Sequence, residues 1–140
     1  MTNKVIVALD NKNLKEIITI VNKTKSEVFG FKIGKEFFYS YGIEGYKRIF
    51  KLSPKIFLDL KLHDIPNTVE KALKAIIKLR PLLTTIHITG GDEMQKASSK
   101  LKRDKTKILG VTVLTSLNAH QTKKYYKNKN INQLVKKFAR

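Results

Sequence analysis

Two carboxylates and one ammonium lie within six residues near the middle of the chain, at Asp59, Lys61 and Asp64. They come at the end of a mainly apolar run, residues 55–58, which predicts a buried strand. Because side chains alternate between the two faces of a strand, we expect Asp59 and Lys61 on the same face. Unpaired charges are costly in a protein core. The spacing therefore favours a site with a paired acid and base over a packing surface.

Four other apolar runs have the same form, a predicted strand with polar residues at its end. The five predicted strands cover residues 5–9, 28–34, 55–62, 83–88 and 108–114. Their polar ends are Asp10, Lys32, Asp59 with Lys61, His87, and Thr115 with Ser116. Apolar residues recur at helical spacing between the strands. Alternating strands and helices of this kind predict an α/β fold with parallel strands covered by helices.

Two architectures fit this alternation, an open doubly wound sheet and a (β/α)8 TIM barrel. An open sheet binds ligands mainly at one switch point, whereas a barrel gathers the ends of all its strands at one mouth. Polar residues at every strand end favour the barrel. Eight units of this size need roughly 220 residues, and the sequence has 140. We therefore expect one partial barrel domain over residues 1–140, truncated after about five β/α units and lacking the last three.

The composition limits the other classes of function. The chain has no cysteine, which excludes disulfides and thiolate metal sites and fits a reducing compartment. The sequence shows neither a signal peptide nor a long apolar membrane segment. We expect a cytoplasmic protein with no membrane partner. The histidines and acidic residues lack the spacing of metal ligands, so we predict no metal.

The formal net charge of +18 could indicate a nucleic-acid partner. The cations are almost all lysines spread along the chain, and arginine occurs only at positions 48, 80, 103 and 140. Base reading and forked phosphate contacts favour arginine. We therefore expect no specific nucleic-acid partner, with non-specific polyanion binding as a side effect of the charge.

Residues 58–69, LDLKLHDIPNTV, resemble the signature of the orotidine 5′-phosphate decarboxylase family. Residues 8–10, 31–34, 87–91 and 110–116 resemble the ends of that family's first, second, fourth and fifth strands, in the same order. The resemblance covers essentially the whole chain and only the N-terminal part of the family's barrel. Sugar-phosphate decarboxylases and aldolases of the same superfamily share the Asp-x-Lys-x-x-Asp spacing, but the continuation IPNT at 65–68 argues against them.

The resemblance implies a lyase of pyrimidine biosynthesis that converts orotidine 5′-phosphate to UMP and CO2 without any cofactor. Lys61 is then the cation beside the reacting carbon and the proton donor. Asp59 lies near the departing carboxylate and orients Lys61. Lys32 and Asp64 complete an alternating array of charges with that pair.

The same resemblance implies substrate contacts and a homodimer. Asp10 and Lys32 match the family's ribose contacts, and Thr115 matches a polar contact to the base. Ile65 matches an apolar contact near the pyrimidine, also made across the dimer. Asp64 and Thr68 are expected to reach into the site of the neighbouring subunit.

Several of these residues also have simpler interpretations. Asp10 can be the N-cap of the first helix, Lys32 a strand-end lysine whose stem is buried, and Thr115 a cap of a later helix. Gly90 and Gly91 are expected to form the turn into the fourth helix. We expect His87 to be a structural hydrogen-bonding residue and not a catalytic base.

The family's 5′-phosphate contacts, a Gln and an Arg, follow its seventh and eighth strands, in line with the usual phosphate site of such barrels. This sequence contains no counterpart of those segments, so we expect the isolated chain to be impaired. Two alternatives stay open. One is a non-catalytic remnant that dimerises or binds polyanions. The other is a sugar-phosphate lyase of the same superfamily, which would need Mg2+.

Overall fold

The structure is a computed structural model that describes residues 4–10, 13–101 and 105–140. Strands and helices alternate along the chain. The elements are β1 (Ile6–Ala8), α1 (Leu14–Thr24), β2 (Gly30–Gly34), α2 (Lys35–Leu52), β3 (Ile56–Leu62), α3 (Pro66–Lys78), β4 (Leu83–His87), α4 (Asp92–Ser99), β5 (Lys107–Val111), α5 (Ala119–Tyr126) and α6 (Ile131–Phe138). A short 3-10 turn, Ile88–Gly90, joins β4 to α4.

The strands form one parallel sheet in the order β1-β2-β3-β4-β5. Each strand pairs with the next one along the chain, and a helical segment returns the chain between them. A doubly wound sheet reverses its strand order at a switch point. Because the order here never reverses, the observed topology is that of consecutive units in a (β/α)8 barrel fold.

The centre of the sheet is buried on both faces, as parallel strands covered by helices require. The larger apolar cluster joins the first three strands to α1 and α2, with Phe31, Ile33 and Leu58 fully buried. A smaller cluster around Leu73 and Met94 joins α3 and α4 to β4. These two clusters fix the strands whose ends carry the predicted site residues.

Local sequence explains where the helices begin. The side chain of Asn13 caps α1, and Asn118 caps α5 in a capping box. Pro66 occupies the first turn of α3, where the missing N–H of proline costs no helical hydrogen bond. The alternative roles of Asp10 and Thr115 as helix caps are therefore wrong, because an asparagine closer to each helix makes the capping bond.

Two features refine the predicted element boundaries. α2 is interrupted at Gly42, whose φ of 57° and ψ of −155° are open only to glycine. β5 ends at Val111 and not at residue 114. It ends there because its last pairing is with His87, after which β4 turns into the 3-10 segment. Gly91 caps α4, which confirms the expected turn at this point.

Candidate active site

The carboxyl ends of β1 and β2 are joined by an ion pair. Asp10 follows β1, and Lys32 lies in β2 at the position paired with Ala8. The Nζ atom of Lys32 donates a hydrogen bond to Oδ2 of Asp10 at 2.9 Å. Both side chains are partly exposed, so the pair lies where a ligand can reach it.

A second ion pair lies at the end of β3. The Nζ atom of Lys61 donates to Oδ2 of Asp59 at 2.6 Å. The Asp59 side chain is 9% exposed and that of Lys61 is 35% exposed. A carboxylate this buried needs a partner, which Lys61 provides while part of its side chain stays accessible. Asp59 is also paired in the sheet with Gly34, so the two ion pairs lie on neighbouring strands.

The segment that carries these two residues departs from a regular strand. The pairing between β3 and β4 changes register between Leu58 and Leu62. Within this irregular segment Lys61 has a φ of 47°, in the left-handed region. The expectation that Asp59 and Lys61 form a paired acid and base is met, in a stretch of β3 whose pairing with β4 is irregular.

Thr85 contacts both members of the β3 pair and was missed in the sequence analysis. Its hydroxyl donates to Oδ1 of Asp59 at 2.9 Å and accepts the backbone N–H of Lys61 at 2.8 Å. The only signal in the sequence is a polar residue inside an apolar strand. That signal does not separate Thr85 from its neighbour Thr84, whose buried hydroxyl has no partner in the described part of the chain.

Asp64, Ile65 and Thr68 lie on the rim, just after β3. Oδ1 of Asp64 accepts the backbone N–H of Ile65 at 2.7 Å. Ile65 is 66% exposed and precedes the first turn of α3, which carries the exposed Thr68. Lys61, Asp64 and Thr68 line one open cleft of about 370 Å³, together with Lys35.

The alternating array of four charges stays a prediction, because Asp64 is expected to act in the site of a neighbouring subunit. Within this chain the structure shows two ion pairs. Lys32 pairs with Asp10 and not with Asp59. Asp64 makes no ion pair with any described residue, because it lies beyond the strand and bonds to the start of α3. The charges form two separate ion pairs, with Asp64 exposed beside the second.

Thr115 follows β5, two strands along the sheet from β3. It lies in an exposed turn after β5, closed by the N–H of Leu117 donating to the carbonyl of Leu114 at 3.0 Å. Within the described ranges, no hydrogen bond connects Thr115 to the other predicted site residues. The structure thus joins Asp10 to Lys32 and Asp59 to Lys61, but does not add Thr115.

His87 lies beside the cleft and stacks on His63. The ring centroids are 5.0 Å apart, and the ring planes are inclined by 29°. Burial lowers the pKa of His87, and the charges of His63, Lys35 and Lys61 lower it further, against an opposing effect of Asp59. The His87 side chain was expected to make a structural hydrogen bond. Among the described residues it makes the ring contact with His63 instead.

The described ranges contain neither a metal cluster nor a membrane-spanning helix. No three histidine or acidic side chains there lie close enough together to hold a metal ion. No helix in the same ranges is both long and apolar enough to cross a membrane.

Comparisons with a family model and with curated proteins indicate the same family. Residues 3–140 match the model of the "Orotidine 5'-phosphate decarboxylase / HUMPS family". The orotidine 5′-phosphate decarboxylase of Wolbachia sp. subsp. Brugia malayi is 47% identical over 116 residues, covering 82% of this chain and 52% of that protein. That of Carboxydothermus hydrogenoformans is 42% identical over 142 residues, covering 96% of this chain and 59% of that protein.

Solved structures agree with the sequence comparison. The crystal structure of orotidine 5′-phosphate decarboxylase from Lactobacillus acidophilus superposes with a TM-score of 0.80 at 36% identity, over 98% of this chain and 65% of that one. This confirms the predicted (β/α)8 barrel class. The chain spans about half the length of curated relatives such as the Wolbachia protein. The chain belongs to the orotidine 5′-phosphate decarboxylase / HUMPS family.

Proposed function

We propose that this chain carries the catalytic charges of an orotidine 5′-phosphate decarboxylase, which forms UMP and CO2 without a cofactor. The main support is the 2.6 Å ion pair of Lys61 with Asp59, held at the end of β3. A second pair, Lys32 with Asp10, lies on the neighbouring strand. The names of the curated relatives support orotidine 5′-phosphate as the substrate over a sugar phosphate.

In this proposal the bond from C6 of the pyrimidine to its carboxylate breaks heterolytically, so that CO2 leaves and the electron pair stays on C6. The Lys61 ammonium, fixed beside that carbon, stabilises the developing negative charge. Its Nζ atom then gives a proton to C6, which completes UMP. Asp59 holds Lys61 in place near the departing carboxylate.

The remaining residues bind substrate in the same proposal. Asp10 and Lys32 contact the ribose hydroxyls, and Thr115 contacts the base. Ile65 offers an exposed apolar contact near the pyrimidine. Asp64 and Thr68 act in the site of a second subunit of a homodimer, which their exposure on the rim would allow. The cytoplasmic location stays a prediction.

We also propose that the 140-residue chain alone works more slowly than its full-length relatives. Those relatives are about twice as long as the segment that it matches. In the family, phosphate contacts come from segments after the seventh and eighth strands, as the resemblance implies. Binding energy from a remote phosphate can be used to lower the barrier at the reacting carbon, so its loss should reduce both affinity and turnover.

The test compares Lys61→Ala with Lys47→Ala in the purified chain, following UMP formation from orotidine 5′-phosphate. Lys47 is a matched control, because it forms an exposed ion pair with Glu44 at 2.8 Å away from the site. We expect Lys61→Ala to lose at least about 100-fold in rate and Lys47→Ala to keep the parent rate. Equal rates in the two variants would contradict the role of Lys61.

Binding provides a second measurement that does not need turnover. We expect UMP to shift the NMR signals of the Lys32 and Lys61 amides in the parent chain. A parent that neither converts orotidine 5′-phosphate nor binds UMP would reject the proposal. Chelator-sensitive turnover of a pentulose or hexulose phosphate would support the sugar-phosphate lyase instead.

The homodimer has its own test, in which Lys61→Ala and Asp64→Ala chains are mixed. Random pairing of equal amounts of the two chains makes half of the dimers mixed. If each site takes Lys61 from one subunit and Asp64 from the other, each mixed dimer has one intact site. Activity should then recover to about a quarter of the parent value. Sedimentation would verify that dimers form. Dimers without any recovery would place Lys61 and Asp64 in the same subunit's site.

A further inference from the structure

Thr85 occupies a particular place in the sheet, opposite the bulge of β3. Between two points of regular pairing, β3 advances by four residues while β4 advances by two. Asp59, Leu60 and Lys61 therefore lie opposite Thr85 alone. Regular backbone pairing is interrupted at this point, and a side chain of β4 has to make the contacts.

The Thr85 hydroxyl makes two such contacts. It gives its proton to Oδ1 of Asp59 at 2.9 Å and accepts the backbone N–H of Lys61 at 2.8 Å. A hydroxyl has one proton to donate and lone pairs to accept, so both of its capacities are used. Lys61 Nζ contacts the other oxygen of Asp59 at 2.6 Å. Together the three bonds close a ring through Thr85, Asp59 and Lys61.

This ring fixes the rotation of the Asp59 carboxylate and the backbone conformation of Lys61, and both determine where the ammonium lies. The bond to Oδ1 sets the rotation of the Asp59 carboxylate, so that Oδ2 is directed at Lys61. The bond to the N–H holds the Lys61 backbone at a φ of 47°, in the left-handed region that is unfavourable for a residue with a Cβ atom. A conformation of this kind persists only where its surroundings hold it. Thr85 is 3% exposed and β-branched, so its own rotation is restricted.

We infer that Thr85 is a positioning residue that sets the place of the Lys61 ammonium for decarboxylation, an inference that rests on the proposed function. Thr85 acts through Asp59 and through the Lys61 backbone, and does not itself contact the substrate. Misplacing a reacting group by about 1 Å can cost about 100-fold in rate. The contribution of Thr85 is therefore expected in the chemical step more than in binding.

The test uses Thr85→Val with Thr84→Val as its matched control. Thr84 is the adjacent residue, is fully buried, and has a hydroxyl without a partner among the described residues. The two variants make the same chemical change, but only Thr85→Val breaks hydrogen bonds. Thr85→Ser keeps the hydroxyl, and Thr85→Ala replaces the valine variant if the extra methyl group prevents folding.

The kinetic readout is the split between kcat and KM for orotidine 5′-phosphate. We expect Thr85→Val to lower kcat by about 10- to 100-fold while KM changes little. Thr84→Val should match the parent, and Thr85→Ser should recover most of the rate. Equal kcat values for Thr85→Val and Thr84→Val would overturn the inference.

A second readout, amide hydrogen exchange followed by NMR, is independent of turnover. The Lys61 amide should exchange at least about 10-fold faster in Thr85→Val and at the parent rate in Thr84→Val and Thr85→Ser. The Leu9 amide, bonded to the carbonyl of Lys32 at 2.9 Å, reports general loosening. Unchanged Lys61 exchange in Thr85→Val, or an equal rise at Leu9, would overturn the inference. A selective rise at Lys61 in a chain without turnover would support the positioning and count against the proposed function.

Discussion

Gly34 lies directly against the carboxylate of Asp10. A Cβ atom at position 34 would lie 2.8 Å from Oδ1 of Asp10 and 3.5 Å from Nζ of Lys32. The backbone at Gly34 has a φ of −89°, which any residue can adopt. The glycine is therefore needed for space and not for conformation. It leaves room for the ion pair that joins the ends of β1 and β2.

We expect Gly34→Ala to weaken UMP binding by about 10-fold, because the new methyl group displaces the Asp10 carboxylate from Lys32. The free energy of unfolding should change by less than about 1 kcal/mol, since Asp10 is exposed enough to turn into solvent. Gly110→Ala is the control, because a Cβ there crowds Ile88 and not the ion pair. Titration with UMP and thermal unfolding measure the two effects. Equal UMP affinity in both variants would contradict this role for Gly34.

At position 61 we expect the glycine variant to be more stable than the alanine variant, which is unusual for a strand. Lys61→Gly and Lys61→Ala both remove the ammonium, and they differ only in a Cβ atom. At a φ of 47° we expect the glycine variant to be more stable by about 1 kcal/mol. In a regular strand glycine is the less stable of the two, by about 0.5–1 kcal/mol. Lys32→Gly and Lys32→Ala, in β2, provide that comparison. If urea unfolding finds alanine more stable than glycine at position 61 as well as at position 32, Lys61 does not have a left-handed backbone.

A similar argument applies at the end of α5, where Lys127 has a φ of 56° and a ψ of 23°. Glycine is the preferred residue at left-handed helix ends because it has no Cβ atom. We expect Lys127→Gly to raise the free energy of unfolding by about 0.5–1 kcal/mol. Lys129→Gly removes the same charge in the exposed segment between α5 and α6 and should not stabilise the chain. A gain shared by both variants would indicate relief of charge repulsion instead.

The fold was largely predictable because its signals are local. Apolar runs alternating with helical periods located the five strands, and Gly90 with Gly91 marked the turn into α4. Asp59 and Lys61 were also identifiable, since they are polar residues at the end of an apolar strand. Each of these features depends on residues that are close together in sequence.

The missed features depend on contacts between strands. Thr85 bonds to residues that are 24 and 26 positions away, at a point where the register of β3 and β4 shifts. A left-handed lysine has no signature in the sequence, because lysine is not a residue that favours this conformation. The ion pair of Lys32 with Asp10 joins residues that are 22 positions apart, and no short segment of the sequence indicates it. Such pairings follow from strand register, which short segments of sequence do not specify.

His87 should make the stability of the chain depend on pH in the mildly acidic range. Burial lowers the pKa of His87, and His63, Lys35 and Lys61 lower it further, while Asp59 opposes them. Between the folded pKa and the ordinary value near 6.5, the unfolded chain binds more protons than the folded chain does. The free energy of unfolding therefore falls as the pH drops through this interval.

We expect His87→Gln to lose less stability than the parent between about pH 7.5 and about pH 5.5, because glutamine cannot take up the proton. Urea unfolding at the two pH values measures the difference, and carboxylates common to both chains cancel in the comparison. His120→Gln is the control for the substitution itself, since it makes the same change at an exposed residue of α5. The same loss in His87→Gln as in the parent would mean that His87 is not kept neutral by its burial against the His63 ring.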